Sequence, residues 1–311
     1  METVSGHRLI RRHDAIAQTS ERNVDAMLGR CWQVILPGVY ATDLAPINDV
    51  DRCRAALMFA GSEAALTDTS ALRFHGFPFV PDDSLVRVLV PNHVQRASRQ
   101  FVAVRRTMYM PSVLDLDSVR VAPVARAVSD LALRSPDERS SLAVAAAAVQ
   151  QGRISVADLR REMKTAASRG RPRLGRIIEA LASGVRSAPE HDFRVLVRSS
   201  RVLPEPLWNP RLRLPGGREV SPDALFIDAG LVHETNGREF HAAPDLFEEM
   251  QRRNDALVAA GLTVLHNSPR RIATDAAAVR GEVEACYKRL RGAGLPVGVE
   301  LVATSVCSEV A

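Results

Sequence analysis

Ser221-Pro222-Asp223-Ala224-Leu225-Phe226-Ile227-Asp228-Ala229-Gly230-Leu231-Val232-His233-Glu234-Thr235-Asn236-Gly237 reads as two strands joined by a three-residue link, Asp228-Ala229-Gly230. The strands are expected over Glu219 to Ile227 and Leu231 to Thr235. A link of that length forms a type I turn with glycine in the left-handed position, a G1 bulge. With the bulge, Asp223 pairs across from Glu234. Without it, Asp223 faces Thr235 and the two carboxylates point to opposite sides of the sheet. On one face the two carboxylates stand about 5 Å apart at Cβ, close enough to hold one hard divalent cation. Such a cation polarises a phosphodiester and lowers the pKa of a bound water. The alternative is a solvent-facing Asp223 and a Glu234 neutralised by Arg218 or Arg238.

Outward from this stretch the pattern is α/β. Pro189 to Ser200 reads as a helix, Pro215-Gly216-Gly217 as a turn, and Phe247 to Ala260 as a helix ended by Gly261. Thr263 to His266 is a further short strand. These elements define a unit over 187–290, and the Gly- and Val-rich segment 291–311 reads as a peripheral tail. Upstream, 152–186 is a basic helical linker: between 151 and 180 eight cations stand against three acids. Ser168-Arg169-Gly170-Arg171-Pro172-Arg173 breaks its helical pattern, as a hinge or surface loop does. Arg169, Arg171 and Arg173 either track nucleic-acid phosphates or solvate a helix face.

The middle, 46–151, is also α/β. It reads as helices over Asp49–Ala60, Thr67–Phe74, Val121–Arg134 and Glu138–Gln151, with strands over Leu85–Pro91 and Gln100–Arg105. The first 45 residues follow another plan. A helical stretch from Leu9, a Thr19-Ser20 cap before Glu21–Gly29, and a β-rich Cys31–Tyr40 together make a small winged helix.

Composition narrows the class. The chain has 311 residues, 46% of them hydrophobic and 25% charged, which excludes a disordered or collagen-like protein and allows two or three compact domains. Formal net charge is +5, and Lys164 and Lys288 are the only lysines, so arginine supplies the positive field. Cys31, Cys53, Cys286 and Cys307 lie far apart, which signals neither a zinc module nor a disulfide framework and fits a reducing cytoplasm. No apolar run has signal-peptide or membrane-span length, so neither export nor a membrane partner is expected.

The run from Ser187 to Arg271 resembles the very-short-patch-repair-type endonuclease domains of the restriction-endonuclease-like, PD-(D/E)xK superfamily. The resemblance rests on Glu190 as the acid opening the first helix, Pro222-Asp223 on the metal-binding strand, and Glu234-Thr235-Asn236-Gly237 at the second strand end. His241, the pair Arg252-Arg253 and Gly261-Leu262-Thr263-Val264-Leu265 complete it. It implies catalytic roles for Glu190, Asp223, Glu234 and His241, a Mg²⁺ ion held by Asp223, Glu234 and the Asn236 carbonyl, and phosphate contacts from Arg252 and Arg253. Two positions depart from the pattern. Asn236 stands where the family has an acid, or the wider superfamily a lysine, and it neither adds charge nor takes a proton. Met250-Gln251 replaces the usual Asp-Arg. Each residue has a structural alternative: helix capping for Glu190, a plain loop histidine for His241, and pairing with Glu248 and Glu249 for the arginines.

Residues 9–41 resemble the winged helix of AbiEi-type antitoxins, through Arg11-Arg12-His13-Asp14-Ala15-Ile16-Ala17 and Leu36-Pro37-Gly38-Val39-Tyr40. Thr69–Phe77 and Val121–Ala132 are similar to segments that follow in such proteins. The presumptive recognition helix sets Arg22 and Arg30 against Glu21 and Asp25, so it carries no excess of cations for reading a groove, and packing alone is the alternative. The chain is thus expected to be an α/β multidomain protein: an N-terminal winged helix, an α/β middle region and a C-terminal restriction-endonuclease-like domain. DNA and a partner toxin protein are the partners implied. The expected activity is Mg²⁺-dependent DNA cleavage. Its rival is a non-catalytic regulator that uses a degenerate nuclease fold as a platform, and a scaffold without nucleic acid is a third reading.

Overall fold

The computed structural model of the chain describes residues 8–77, 80–166, 170–235 and 244–302. The protein is mixed α/β and divides into two compact units, 1–179 and 180–311.

Unit 1 begins with β1 (Leu9–Arg11), α1 (Arg12–Gln18), α2 (Glu21–Met27), β2 (Gln33–Leu36) and β3 (Val39–Ala41). The three strands form a sheet in the order β1-β3-β2. Ser20 caps α2 by accepting from the Asn23 N–H, as the Thr19-Ser20 reading requires. Ala15, Val24 and Tyr40 bury the small core of this part.

Next come α3 (Asp49–Ala60), β4 (Ala65–Leu66), α4 (Asp68–Phe74), β5 (Val86–Pro91), β6 (Val102–Thr107), β7 (Leu114–Leu116) and β8 (Val119–Val121). A sheet in the order β6-β5-β4-β8-β7 results, parallel between β5 and β6 and between β4 and β8. Helices α5 (Val124–Arg134), α6 (Glu138–Gln150) and α7 (Val156–Thr165) follow. Asp137 caps α6, and Ser155 with Asp158 forms a capping box on α7.

Of the stretch expected as a hinge or loop, Ser168 and Arg169 lie outside the described residues, and the rest opens a helix. Arg171-Pro172-Arg173 is the first turn of α8 (Arg171–Ala182), where proline costs no hydrogen bond because the first N–H groups of a helix have no intrahelical acceptor. Gly170, at φ +87°, lets this helix start against α5, since a Cβ there would fall 2.2 Å from the Leu133 carbonyl oxygen. Gly170→Ala is expected to destabilise unit 1 by about 2–4 kcal/mol, through left-handed strain plus a backbone clash. Chemical denaturation checks this, and a loss below about 1 kcal/mol would contradict it.

Unit 2 contains α9 (Ala188–Arg198), β9 (Leu207–Trp208), β10 (Leu212–Arg213), β11 (Glu219–Val220), β12 (Ala224–Phe226), β13 (Leu231–Thr235), α10 (Pro244–Ala259), β14 (Thr263–Asn267), α11 (Pro269–Thr274), α12 (Ala276–Leu290) and β15 (Glu300–Leu301). Its main sheet runs β14-β13-β12-β9, and β11-β10-β15 form a small second sheet. The single strand expected over Glu219–Ile227 is therefore two strands in different sheets. Pro222, which has no N–H for a ladder, lies between them.

Alternation along β12 and β13 sorts the core. Ala224, Phe226 and Leu231 pack with Phe193 and Val197 of α9 and Val279 and Val283 of α12. Leu225 and Val232 pack on the opposite side with Leu257 of α10 and Leu262. Burying a side chain of the size of Phe193 or Phe226 stabilises the unit by about 2–3 kcal/mol. After Arg291 the chain returns across the β12–β13 turn, with the N–H groups of Gly292 and Gly294 donating to the Asp228 carbonyl, and ends its described part by pairing β15 with β10. Among the described residues no helix is long and apolar enough to cross a membrane.

Candidate functional site: a buried carboxylate pair

The register of β12 on β13 sets Ala224 opposite His233 and Phe226 opposite Leu231, which carries Asp223 opposite Glu234. The turn differs from the expected three-residue link. Ile227 joins it, so Ile227–Ala229 form a 3-10 turn closed by Gly230 at φ 55°, ψ 29°. Glycine is required there, because a Cβ would sit 2.6 Å from the Gly294 carbonyl oxygen. The extra residue restores the register that puts the two carboxylates on the α10 side, with Leu225 and Val232.

Glu234 is 1% exposed, and its Oε2 accepts from Arg253 Nη2 of α10 at 2.7 Å. Its Oε1 is buried with no hydrogen-bond partner among the described residues. Asp223 is half-buried, and its Oδ2 accepts from the Thr235 N–H at 2.8 Å. Burial, and then the Asp223 charge, push the Glu234 carboxyl up to about 8, against the opposing pull of Arg253. Asp223 is raised as well, by burial first and by Glu190 in part, against the bond from Thr235.

Glu190, 3% exposed, sits in the first turn of α9 below its cap Ser187. Both of its oxygens are engaged: Oε1 by Arg194 Nη2 at 3.0 Å and Asn209 Nδ2 at 2.8 Å, and Oε2 by the Arg186 N–H at 2.8 Å. Its charge reaches Asp223. On the other face of β13, His233 is fully buried, stacks on Phe193 with 3.5 Å between centroids, and bonds Asn267 Oδ1 through Nε2 at 2.9 Å. Burial lowers its pKa to about 3, so it is a neutral core residue.

Asp223, Glu234 and Arg253 are thus brought together, with Glu190 close enough to act through its field. Asn236, His241 and Arg169 lie outside the described residues. Arg252 pairs with Glu248 on the exposed face of α10 at 2.9 Å. Arg171 donates to the Met163 and Lys164 carbonyls at the end of α7, and Arg173 to the Ser135 and Leu133 carbonyls at the end of α5. These arginines satisfy helix C-termini. Sequence reading did not find Arg194 and Asn209 as partners of Glu190; the i,i+4 spacing of Glu190 and Arg194 was the one local signal. Nothing local connects Arg253 to Glu234.

Asp223 and Glu234 suit a hard cation that keeps part of its water shell, since Mg²⁺ is commonly held by one or two carboxylates plus substrate phosphate. Among the described residues no group of three or more His, Cys, Asp or Glu side chains is placed to hold a metal. Glu234 Oε1, which has no hydrogen-bond partner among the described residues, beside a second carboxylate is the donor arrangement that fits.

Fold and site together define a mixed α/β protein of two units, with a pair of acids, one buried and one half-buried, in the second. No protein-family model matches the chain, and no curated protein matches it. A crystal structure of the RV2827C protein from Mycobacterium tuberculosis is similar at 16% identity with a TM-score of 0.39, covering 64% of this chain and 83% of that one. Similarity at that level assigns neither fold nor function.

Proposed function

We propose that this chain is a DNA-associated protein whose unit 2 is a nuclease-type domain, with Asp223 and Glu234 taking one divalent cation, Mg²⁺ in the cell. The observation that carries the reading is the pair itself: two carboxylates opposite each other on adjacent strands, mutually repelling, with Glu234 Oε1 buried and without a hydrogen-bond partner among the described residues. Such a pair holds a proton or a cation in preference to two bare charges. A bound cation supplies the polarisation of a phosphodiester and the activation of a water. The residues of the chain do the rest. Arg253 holds the Glu234 carboxylate in place, the Thr235 N–H orients Asp223, and the Glu190 network braces the start of α9 beside them. Asn236 as a third oxygen ligand and His241 as general acid and base belong to the same proposal.

The β1-α1-α2-β2-β3 arrangement with sheet order β1-β3-β2 supports reading the first 45 residues as an antitoxin-like winged helix, which makes duplex DNA and a partner toxin protein its binding partners. A second reading, a non-catalytic regulator, is favoured by one observation. Glu190 is filled by three donors and Glu234 has a cationic partner in Arg253, so both acids have protein partners of their own.

One experiment separates the two. Mn²⁺ binding is titrated by calorimetry, and cleavage of single-stranded, duplex and mismatched DNA is assayed, for the natural protein, Asp223→Asn and Asn236→Asp. For an active nuclease, Asp223→Asn loses cleavage by about 100-fold or more while DNA binding persists, and Asn236→Asp tightens Mn²⁺ binding. If neither the natural protein nor Asn236→Asp cleaves any of these while both bind duplex DNA, the regulator reading stands.

A further inference from the structure

A cavity of about 600 Å³ in unit 1 is lined by Arg87, Arg105, Arg134 and Arg173, with Asp68 and Asp130. A smaller cavity of about 210 Å³ shares Arg105, Asp130 and Leu133 with it and adds Arg106, Arg126 and Glu162. Asp83 stands behind Arg87 and Arg134, at 2.7 and 3.7 Å. Six guanidiniums therefore meet four carboxylates in one concave region. Burial raises the Glu162 carboxyl, against the pull of Arg126. An excess of two positive charges in a cleft is matched by one dianion.

Arg87, Arg105, Arg126 and Arg134 are each held by a carboxylate, whereas Arg106 is exposed. Asp130, 1% exposed, accepts from Thr67 Oγ1 at 2.6 Å, Arg105 Nη1 at 2.7 Å and Arg126 Nε at 3.0 Å. Asp68 grips Arg134 through Nε and Nη2, at 2.6 and 3.1 Å. Donor nitrogens remain: Nη1 of Arg87, Nε and Nη2 of Arg105 and Nη1 of Arg134 make no hydrogen bond among the described residues. Pre-set guanidinium forks are the groups best suited to tetrahedral oxyanions.

Two further observations point to a ligand. Ser129 Oγ lines the smaller cavity, is buried, and has no hydrogen-bond partner among the described residues. Asp68 is held at φ +53°, a conformation costly for a non-glycine residue and one that clusters at binding sites.

We propose that this arginine-lined cavity binds a phosphate monoester dianion, the group carried by a 5′-mononucleotide or by the phosphorylated 5′ end of a nucleic-acid strand. The volume admits a mononucleotide. The excess of two charges selects a monoester over the singly charged diester of a chain interior. The site shares no residue with the Asp223–Glu234 pair, so its test is independent of the nuclease reading.

The test is thermal unfolding and calorimetry on the full chain with inorganic phosphate, using chloride at equal ionic strength as the control. Phosphate is expected to raise the Tm of unit 1 by several degrees at millimolar concentration, where chloride does not. Arg105→Gln is expected to weaken phosphate binding about tenfold, with Arg105→Lys between it and the natural protein. Should Arg105→Gln fail to fold, phosphorus NMR of 5′-AMP with substoichiometric natural protein reads the same site, through line broadening reversed by excess inorganic phosphate. Competition by a short strand with a 5′-phosphate identifies a strand end as the source, and competition by 5′-AMP alone identifies the mononucleotide. Equal effects of phosphate and chloride, absence of broadening, or equal competition by a strand with a 5′-hydroxyl would overturn the proposal.

Discussion

At about pH 8 the Asp223→Asn variant is expected to be more stable than the natural protein by about 1–2 kcal/mol, and at about pH 5 the two are expected to differ little. The Glu234 carboxyl titrates near 8 in the folded chain, well above the ordinary value it regains on unfolding. Between those values the native state keeps a proton that the unfolded state has released. Stability therefore falls as pH rises through this window, is unaffected below it, and carries the full cost above it. Asp223 is the second cause of the raised value after burial, so the amide removes the repulsion and leaves the burial. The pH slope should shrink rather than vanish. Mn²⁺ should stabilise the natural protein more at about pH 8 than at pH 5, because the cation competes with the proton, and the variant should lose most of that effect. Urea denaturation at several pH values checks this. Parallel slopes for the two proteins would mean that the carboxylates do not interact.

Arg194→Ala is expected to cost about 3–5 kcal/mol, the largest stability loss predicted in unit 2. The Arg194 and Glu190 side chains are each 4% exposed and lie 3.0 Å apart. Arg194 also donates to the Ser183 carbonyl and lies over the Trp208 ring, 4.4 Å from its centroid. Truncation strands a buried carboxylate with Asn209 and one backbone N–H as its donors. Adding Glu190→Gln should recover about half of the loss, since the stranded charge is then gone. Trp208 fluorescence in a Trp32→Phe background reports on unit 2 alone. A loss below about 1 kcal/mol would return Glu190 to a simple helix cap.

The helices were legible because their signals are local. Asp49–Ala60 is observed as read, and Ser20 and Ser187 cap the helices they precede. Short strands were harder. Glu219–Ile227 has a continuous β-like composition, yet Pro222 interrupts the ladder and the halves find partners in different sheets. The arginines of 171 and 173 show the same limit in charge: their number is visible in the sequence, whereas the carbonyls they satisfy belong to helices ending at Thr165 and Arg134.

By itself, the sequence determined where the helices with clear caps begin, and it reduced the Asp223 pairing to two registers that turn on how Gly230 closes the turn. These follow from period, capping and backbone freedom within a few residues. Only the tertiary structure decided what surrounds the acids. Arg253 reaches Glu234 from 19 positions away, Asn209 reaches Glu190 from another 19, and the arginines meeting Asp130 and Asp68 come from several elements of unit 1. Burial and field set whether a carboxylate holds a proton, a cation or an arginine, and both are sums over neighbours distant in the chain.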